Sequence, residues 1–92
     1  MAQLVLPQDY SQAEWIDRGC LVFDLVLDDR KYTFSFYSPD RLIAEVNGNI
    51  RTSGAWSDSN VVALADLSLD SIKRVCEQIE QNGFMGFAPT VI

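Results

Sequence analysis

The chain has 92 residues, 48% of them hydrophobic, with thirteen acidic side chains against seven basic ones and no histidine. This length makes one domain, residues 1–92, large enough to bury about 60% of its unfolded surface without a disulfide or metal staple. A formal charge of −6 repels nucleic-acid phosphates and favours basic partners. The lack of imidazole argues against histidine-based triads and against most zinc, haem and copper sites.

The N-terminus, Met-Ala-Gln-Leu-Val-Leu-Pro, carries neither the basic region nor the long apolar region of a secretory leader. The longest later apolar run, Val61 to Ala65, is too short for a membrane span, so the expected location is cytoplasmic, with no membrane partner. Cys20 and Cys76 lie far apart in the chain and outside any Cys-x-x-Cys spacing, and both are read as core thiols.

Gln3 to Leu6 predicts a short edge strand closed by Pro7. Ser11 with Glu14 three positions later spells a capping box, for a short helix that runs to Arg18 and stops at Gly19. Cys20 to Asp28 predicts a strand with Leu21, Phe23, Leu25 and Leu27 on one face and Val22, Asp24, Val26 and Asp28 on the other. Lys31 to Tyr37 alternates in the same way, with Tyr32, Phe34 and Phe36 on its apolar face. Pairing Asp28 with Lys31 sets Leu27 against Tyr32, Leu25 against Phe34 and Phe23 against Phe36, and a longer loop of the same parity serves equally.

Ser38-Pro39-Asp40 supplies a cap, a residue of fixed φ and a first-turn carboxylate. A helix over residues 39–47 is predicted from Leu42, Ile43 and Val46, with Gly48 as its stop. Asn47-Gly48 is also a hairpin signal, and the helix is preferred on its N-terminal chemistry. Thr52 to Asn60 reads as a loop, and Val61 to Ala65 as a strand buried on both faces. Ser68 caps the clearest helix, whose stripe is Leu69, Ile72, Val75, Cys76 and Ile79 and whose end is Asn82-Gly83. The fold class is thus α+β: a small, mainly antiparallel sheet with two or three helices on one face. The segment from residue 61 is expected parallel to a hairpin strand through a crossover helix. The opposite face, with Val22, Asp24, Val26, Thr33, Ser35 and Tyr37, is expected to stay partly open and to suit a protein partner.

Candidate chemistry is sparse. Asp24 and Asp28 share a predicted strand face beside Asp29, but residues four apart on a strand lie ~13 Å from each other, too far to hold one ion unaided. Asp66-Leu-Ser-Leu-Asp70 is accounted for by helix-start chemistry. Ser71 and Lys73 are too close in a helix to face each other as nucleophile and base. The glycine-containing segments match neither a phosphate loop nor a dinucleotide fingerprint. No enzyme, cofactor or metal is expected. Trp56, in a polar loop, either folds back onto the core or stands out toward a partner, with core capping the preferred reading, and Trp15 poses the same choice. Glu77 and Glu80 line the polar side of the last helix and, with Asp58, form a candidate acidic docking patch. Asp24, Asp28, Trp56, Asp58, Glu77 and Glu80 are therefore the candidate partner-binding residues.

From Trp15 to Phe84, three runs carry a resemblance: Phe34-Ser-Phe-Tyr-Ser-Pro-Asp-Arg-Leu42, Val61-Val-Ala-Leu64, and Leu69-Asp-Ser-Ile-Lys-Arg-Val-Cys-Glu-Gln-Ile79. In order and layout they resemble immunity proteins of bacterial polymorphic-toxin systems of the contact-dependent inhibition type. The resemblance implies a small acidic cytosolic protein that binds a cognate toxin domain and blocks it by occlusion. A basic nuclease is the toxin class that suits a partner of this charge. Two alternatives stand beside it: a homodimeric adaptor or structural protein that pairs its open sheet face with its own copy, and a small metal-assisted enzyme.

Overall fold

In the computed structural model, which describes residues 2–9 and 11–90, the elements run β1 (Gln3–Val5), α1 (Gln12–Arg18), β2 (Cys20–Val26), β3 (Lys31–Tyr37), α2 (Pro39–Ser53), β4 (Val61–Ala63) and α3 (Leu69–Gln81). The strands form one sheet in the order β1-β2-β3-β4. The pairs β1/β2 and β2/β3 are antiparallel, whereas β3 and β4 are parallel and joined through α2. This is the expected α+β fold with a mostly antiparallel sheet, and β1 completes it at one edge.

The β2–β3 hairpin keeps the predicted faces and takes the longer loop of the same parity, which displaces the register by two residues from the two-residue-turn pairing. Leu25 lies opposite Tyr32, Phe23 opposite Phe34, Leu21 opposite Phe36, and Val26 opposite Lys31. The shift of two residues arises in the turn. Asp29 and Arg30 do not supply the pair of left-handed residues that a two-residue hairpin needs. The chain instead closes from Leu27 to Arg30, with the Leu27 N–H donating to the Arg30 carbonyl at 2.8 Å. Asp28 consequently sits exposed at the hairpin tip and does not share a strand face with Asp24.

Leu21, Phe23, Leu25, Tyr32, Phe34 and Phe36 form the sheet side of the core, and Trp15 of α1 and Ile72, Cys76 and Ile79 of α3 close over it. The Ser11 capping box and the left-handed Gly19 bound α1 as expected. Trp15 belongs to the core, where its indole N–H donates to the Leu67 carbonyl at 2.7 Å and so satisfies its polar edge. Gln12 ties the two covering helices together by accepting the Leu69 N–H at 2.7 Å, at the start of α3. Beyond α3, Gly83 and Phe84 both adopt left-handed φ, of 66° and 59°. That turn brings Phe84 to stack on Tyr32 with centroids 4.2 Å apart.

Two helices thus cover one face, and α2 stands apart from them. It contributes no fully buried residue, and its Ile43, predicted for the buried stripe, is 58% exposed. Its N-terminal half lies against the opposite face, where Arg41 borders a depression with Cys20 and Val22. Gly19 permits this approach: a Cβ there would meet Ser38 Oγ at 2.5 Å, and Ser38 donates its N–H to the Gly19 carbonyl at 2.8 Å. The helix also runs straight through Asn47-Gly48 to a left-handed Gly54, beyond the stop expected at Gly48. Thr52 and Ser53 hydroxyls donate back to the Gly48 and Asn49 carbonyls and support this extra turn.

Gly48 has ordinary helical geometry, and a Cβ there would meet nothing within 4 Å. Gly48→Ala is therefore expected to stabilise the protein by about 0.5–1 kcal/mol, through lower backbone entropy in the unfolded chain. Urea unfolding measures the gain, and a loss of stability would contradict it.

Strand β4 is shorter than expected and is not buried on both faces: Val61 and Val62 are half-buried and Ala63 is exposed. It lies at the edge of the sheet and not inside it. The rest of the β3 edge is completed by the C-terminal segment, through an antiparallel bridge between Lys31 and Thr90. Asn60, buried and left-handed at φ 58°, joins the two halves of that edge. Its amide donates to the Thr33 and Ala88 carbonyls at 3.1 and 2.6 Å, and its oxygen accepts the Ala88 N–H at 2.8 Å.

Candidate functional site

Strand alternation sends Val5, Cys20, Val22, Asp24, Thr33, Ser35 and Tyr37 to the face away from the core, and the cross-strand register sets them side by side. Val5 is 42% and Val22 50% exposed, a neighbouring aliphatic pair on two adjacent strands. Asp24 beside them is held in place. The Thr33 hydroxyl donates to its carboxylate at 2.6 Å, and the Thr90 hydroxyl donates in turn to Thr33 Oγ1 at 3.1 Å. Asp24 is thus an oriented acceptor at the end of a hydroxyl relay that crosses β2, β3 and the C-terminal segment.

At the other end of this face Tyr37 is buried, with Glu45 of α2 near its hydroxyl. Burial raises the Tyr37 hydroxyl above its ordinary range, and Cys20, Glu45 and Asp58 around it act in the same direction. The Cys20 thiol is likewise raised, chiefly by burial, which the Arg41 guanidinium and a hydrogen bond with Tyr37 partly offset. Cys20, expected in the core, instead sits half-buried on the second face because strand alternation turns it away from Leu21, whereas Cys76 is a core thiol as expected, pushed up to about 12 by burial. Arg41 pairs with Glu45 one turn later at 3.6 Å. Pro7, Arg18, Cys20, Val22 and Arg41 surround a depression of about 340 Å³ where α1, β2 and α2 meet.

The predicted partner-binding residues divide between surfaces. Asp24 lies on the open face. Asp58 is exposed in the loop after α2 and near enough to Tyr37 to bear on its hydroxyl, so it borders the α2 end of that face. Trp56, in the same loop, is half-buried and stays outside the core cluster, so it does not cap the core as preferred. Glu77 and Glu80 flank Ala2 and Leu4 on the core side of β1, at the sheet edge opposite β4. They do not form one acidic patch with Asp58. Asp28 sits exposed at the hairpin tip, beside the exposed Asp29–Arg30 ion pair.

Among the described residues no three histidine, cysteine or carboxylate side chains are grouped to hold a metal ion, and no helix is long and apolar enough to cross a membrane. Asp66 accepts hydrogen bonds from the Ser68 N–H and the Ser68 and Ser71 hydroxyls, which lower its pKa and account for it at the start of α3. Comparison with protein-family models, curated proteins and solved structures finds no match.

Sequence reasoning missed the exposed aliphatic residues of α2. Ile43 and Ile50 are 58% and 47% exposed and seven residues apart, so they lie on one side of the helix. Their spacing was visible in the chain, but so was the stripe of Leu42 and Val46, and only packing separates the two. The exposure of Val5 was hidden for a similar reason, because the pairing partner of β1 is not a local property.

Proposed function

We propose that this protein is a cytoplasmic immunity protein that binds a cognate toxin domain, a basic nuclease in the first instance, and silences it by occlusion. The observation that carries the reading is the part of the second sheet face that α2 leaves open, where Val5 and Val22 stand exposed beside the fixed carboxylate of Asp24. An exposed aliphatic centre with an oriented acid suits a protein partner, because apolar contact supplies affinity and the acid supplies register. The charge of −6 would steer a basic domain toward the protein and raise the association rate at low salt. Asp58 borders the same face near Tyr37 and extends the proposed contact toward α2.

The test is to search the neighbouring genes for a toxin domain and to co-express it with this protein, followed by co-purification and a growth-rescue assay; a neighbourhood without such a domain would count against the reading. Val22→Lys places a cation at the centre of the face on a side chain that is already exposed, so the fold is expected to persist. It is expected to weaken toxin binding by about tenfold or more and to abolish rescue. Wild-type protein that neither binds nor protects would reject the reading. A Val22→Lys variant that protects fully would place the contact elsewhere. A dimer in dilute solution that Val22→Lys dissolves would favour self-association through this face.

A further inference from the structure

Strand β1 is an edge strand: it pairs with β2 on one side, and among the described residues no strand pairs with its other side. Beneath that free edge, between β1 and α3, lies a groove of about 510 Å³. Its floor is apolar, formed by Ala2, Leu4, Leu25 and Cys76, and its α3 wall carries Lys73, Glu77, Glu80 and Gln81. The groove continues the core past the last strand. A further strand laid beside β1 would point alternate side chains to the same side as Leu4, and therefore into this space.

We propose that the β1 edge and this groove take an extended, basic segment of a partner protein by strand addition. In this mode main-chain hydrogen bonds hold the segment, and pockets for alternate side chains select it. One inward residue is aliphatic and lies over Leu4 and Cys76. The inward residue two positions away is lysine or arginine and meets Glu77 and Glu80. Glu80 already accepts the Ala2 N–H at 2.7 Å through one oxygen, which fixes its carboxylate at the β1 end of the groove. Glu77 is exposed one turn earlier on the same helix. Lys73 stands further toward the start of α3, so the carboxylates concentrate where the cation is assigned. Because β1 is three residues long, the ladder it offers is short, and the groove must supply the selectivity. This surface is separate from the open sheet face, and the assignment holds whether or not that face binds a toxin.

The test is a chemical-shift titration of the isotope-labelled full chain with a capped peptide, Thr-Lys-Thr-Leu-Thr, whose lysine and leucine fall on one face of a strand. The expected result is saturable shifts confined to the amides of Gln3 to Val5 and of Lys73 to Gln81. The counterpart peptide with glutamate for lysine is expected to leave these amides unmoved. Glu77→Lys, a change at an exposed position, is expected to weaken binding of the lysine peptide by about fivefold. No shifts at millimolar peptide, equal binding of the two peptides, undiminished binding to Glu77→Lys, or shifts centred on Val22 or on β4 would each overturn the proposal.

Discussion

Phe34→Ala is expected to destabilise the protein by about 3–5 kcal/mol, among the largest single losses available to this chain. Phe34 is 0% exposed and sits at the centre of the aromatic cluster. Its ring lies 6.0 Å from Phe23, 6.2 Å from Tyr32, 6.1 Å from Phe36 and 5.0 Å from Phe87. Removing it costs the transfer free energy of the ring and leaves a cavity that the flanking strands cannot collapse to fill. A domain of this kind has about 5–15 kcal/mol of total stability, so the variant is expected to unfold at a much lower urea concentration. Val22→Ala, on the exposed face, is the control and is expected to change stability by no more than about 0.5 kcal/mol. A loss below about 1.5 kcal/mol for Phe34→Ala would show that the C-terminal segment carrying Phe87 moves in to fill the space.

Asn60→Ala is expected to cost about 3–4 kcal/mol, by a different mechanism. The substitution removes three side-chain hydrogen bonds at once and deprives the Thr33 carbonyl and both backbone groups of Ala88 of a partner. An unmatched buried polar group costs about 1 kcal/mol or more, and a left-handed alanine adds about 1 kcal/mol. Asn60→Gly separates the two contributions. It tolerates the φ of 58° but cannot replace the side-chain bonds, so it is expected to be about 1 kcal/mol more stable than Asn60→Ala. Amide exchange provides a local readout. Loss of the Asn60 side chain should speed exchange at Ala88, whose N–H loses its acceptor, and at Thr90, whose N–H donates to the Lys31 carbonyl at 2.8 Å. Unchanged exchange at both positions would show that the C-terminal segment is held without Asn60.

The groove and the open face make Glu77, Glu80 and Asp24 parts of two separate surfaces, and that separation was not legible in the chain. Glu77 and Glu80 read correctly as the polar side of a helix, because helical periodicity is local. Their distance from Asp58 depends on β1 and β4 lying at opposite edges, which no local pattern states. Asp24 and Asp28 do not share the expected strand face, because the hairpin closes two residues earlier than an Asp-Arg turn would have it.

By itself the sequence determined the element types, the N-terminal caps of the helices and the faces of the hairpin. Ser11, Ser38 and Ser68 each accept a backbone N–H in the first turn of the helix they precede, and the alternation of Tyr32, Phe34 and Phe36 settles which side of β3 is buried. These are interactions within a few residues, so their signal survives without the rest of the molecule. Only the tertiary structure decided the register, the length of α2, the placement of β4 at an edge and the half-burial of Cys20 beside Tyr37. A slip of two residues preserves every strand face, so alternation cannot detect it. A helix passes through Gly48 when capping and the extra turn outweigh the modest cost of glycine. Burial, finally, depends on which element lies above a residue, and α2 crosses to the face that α1 and α3 leave open.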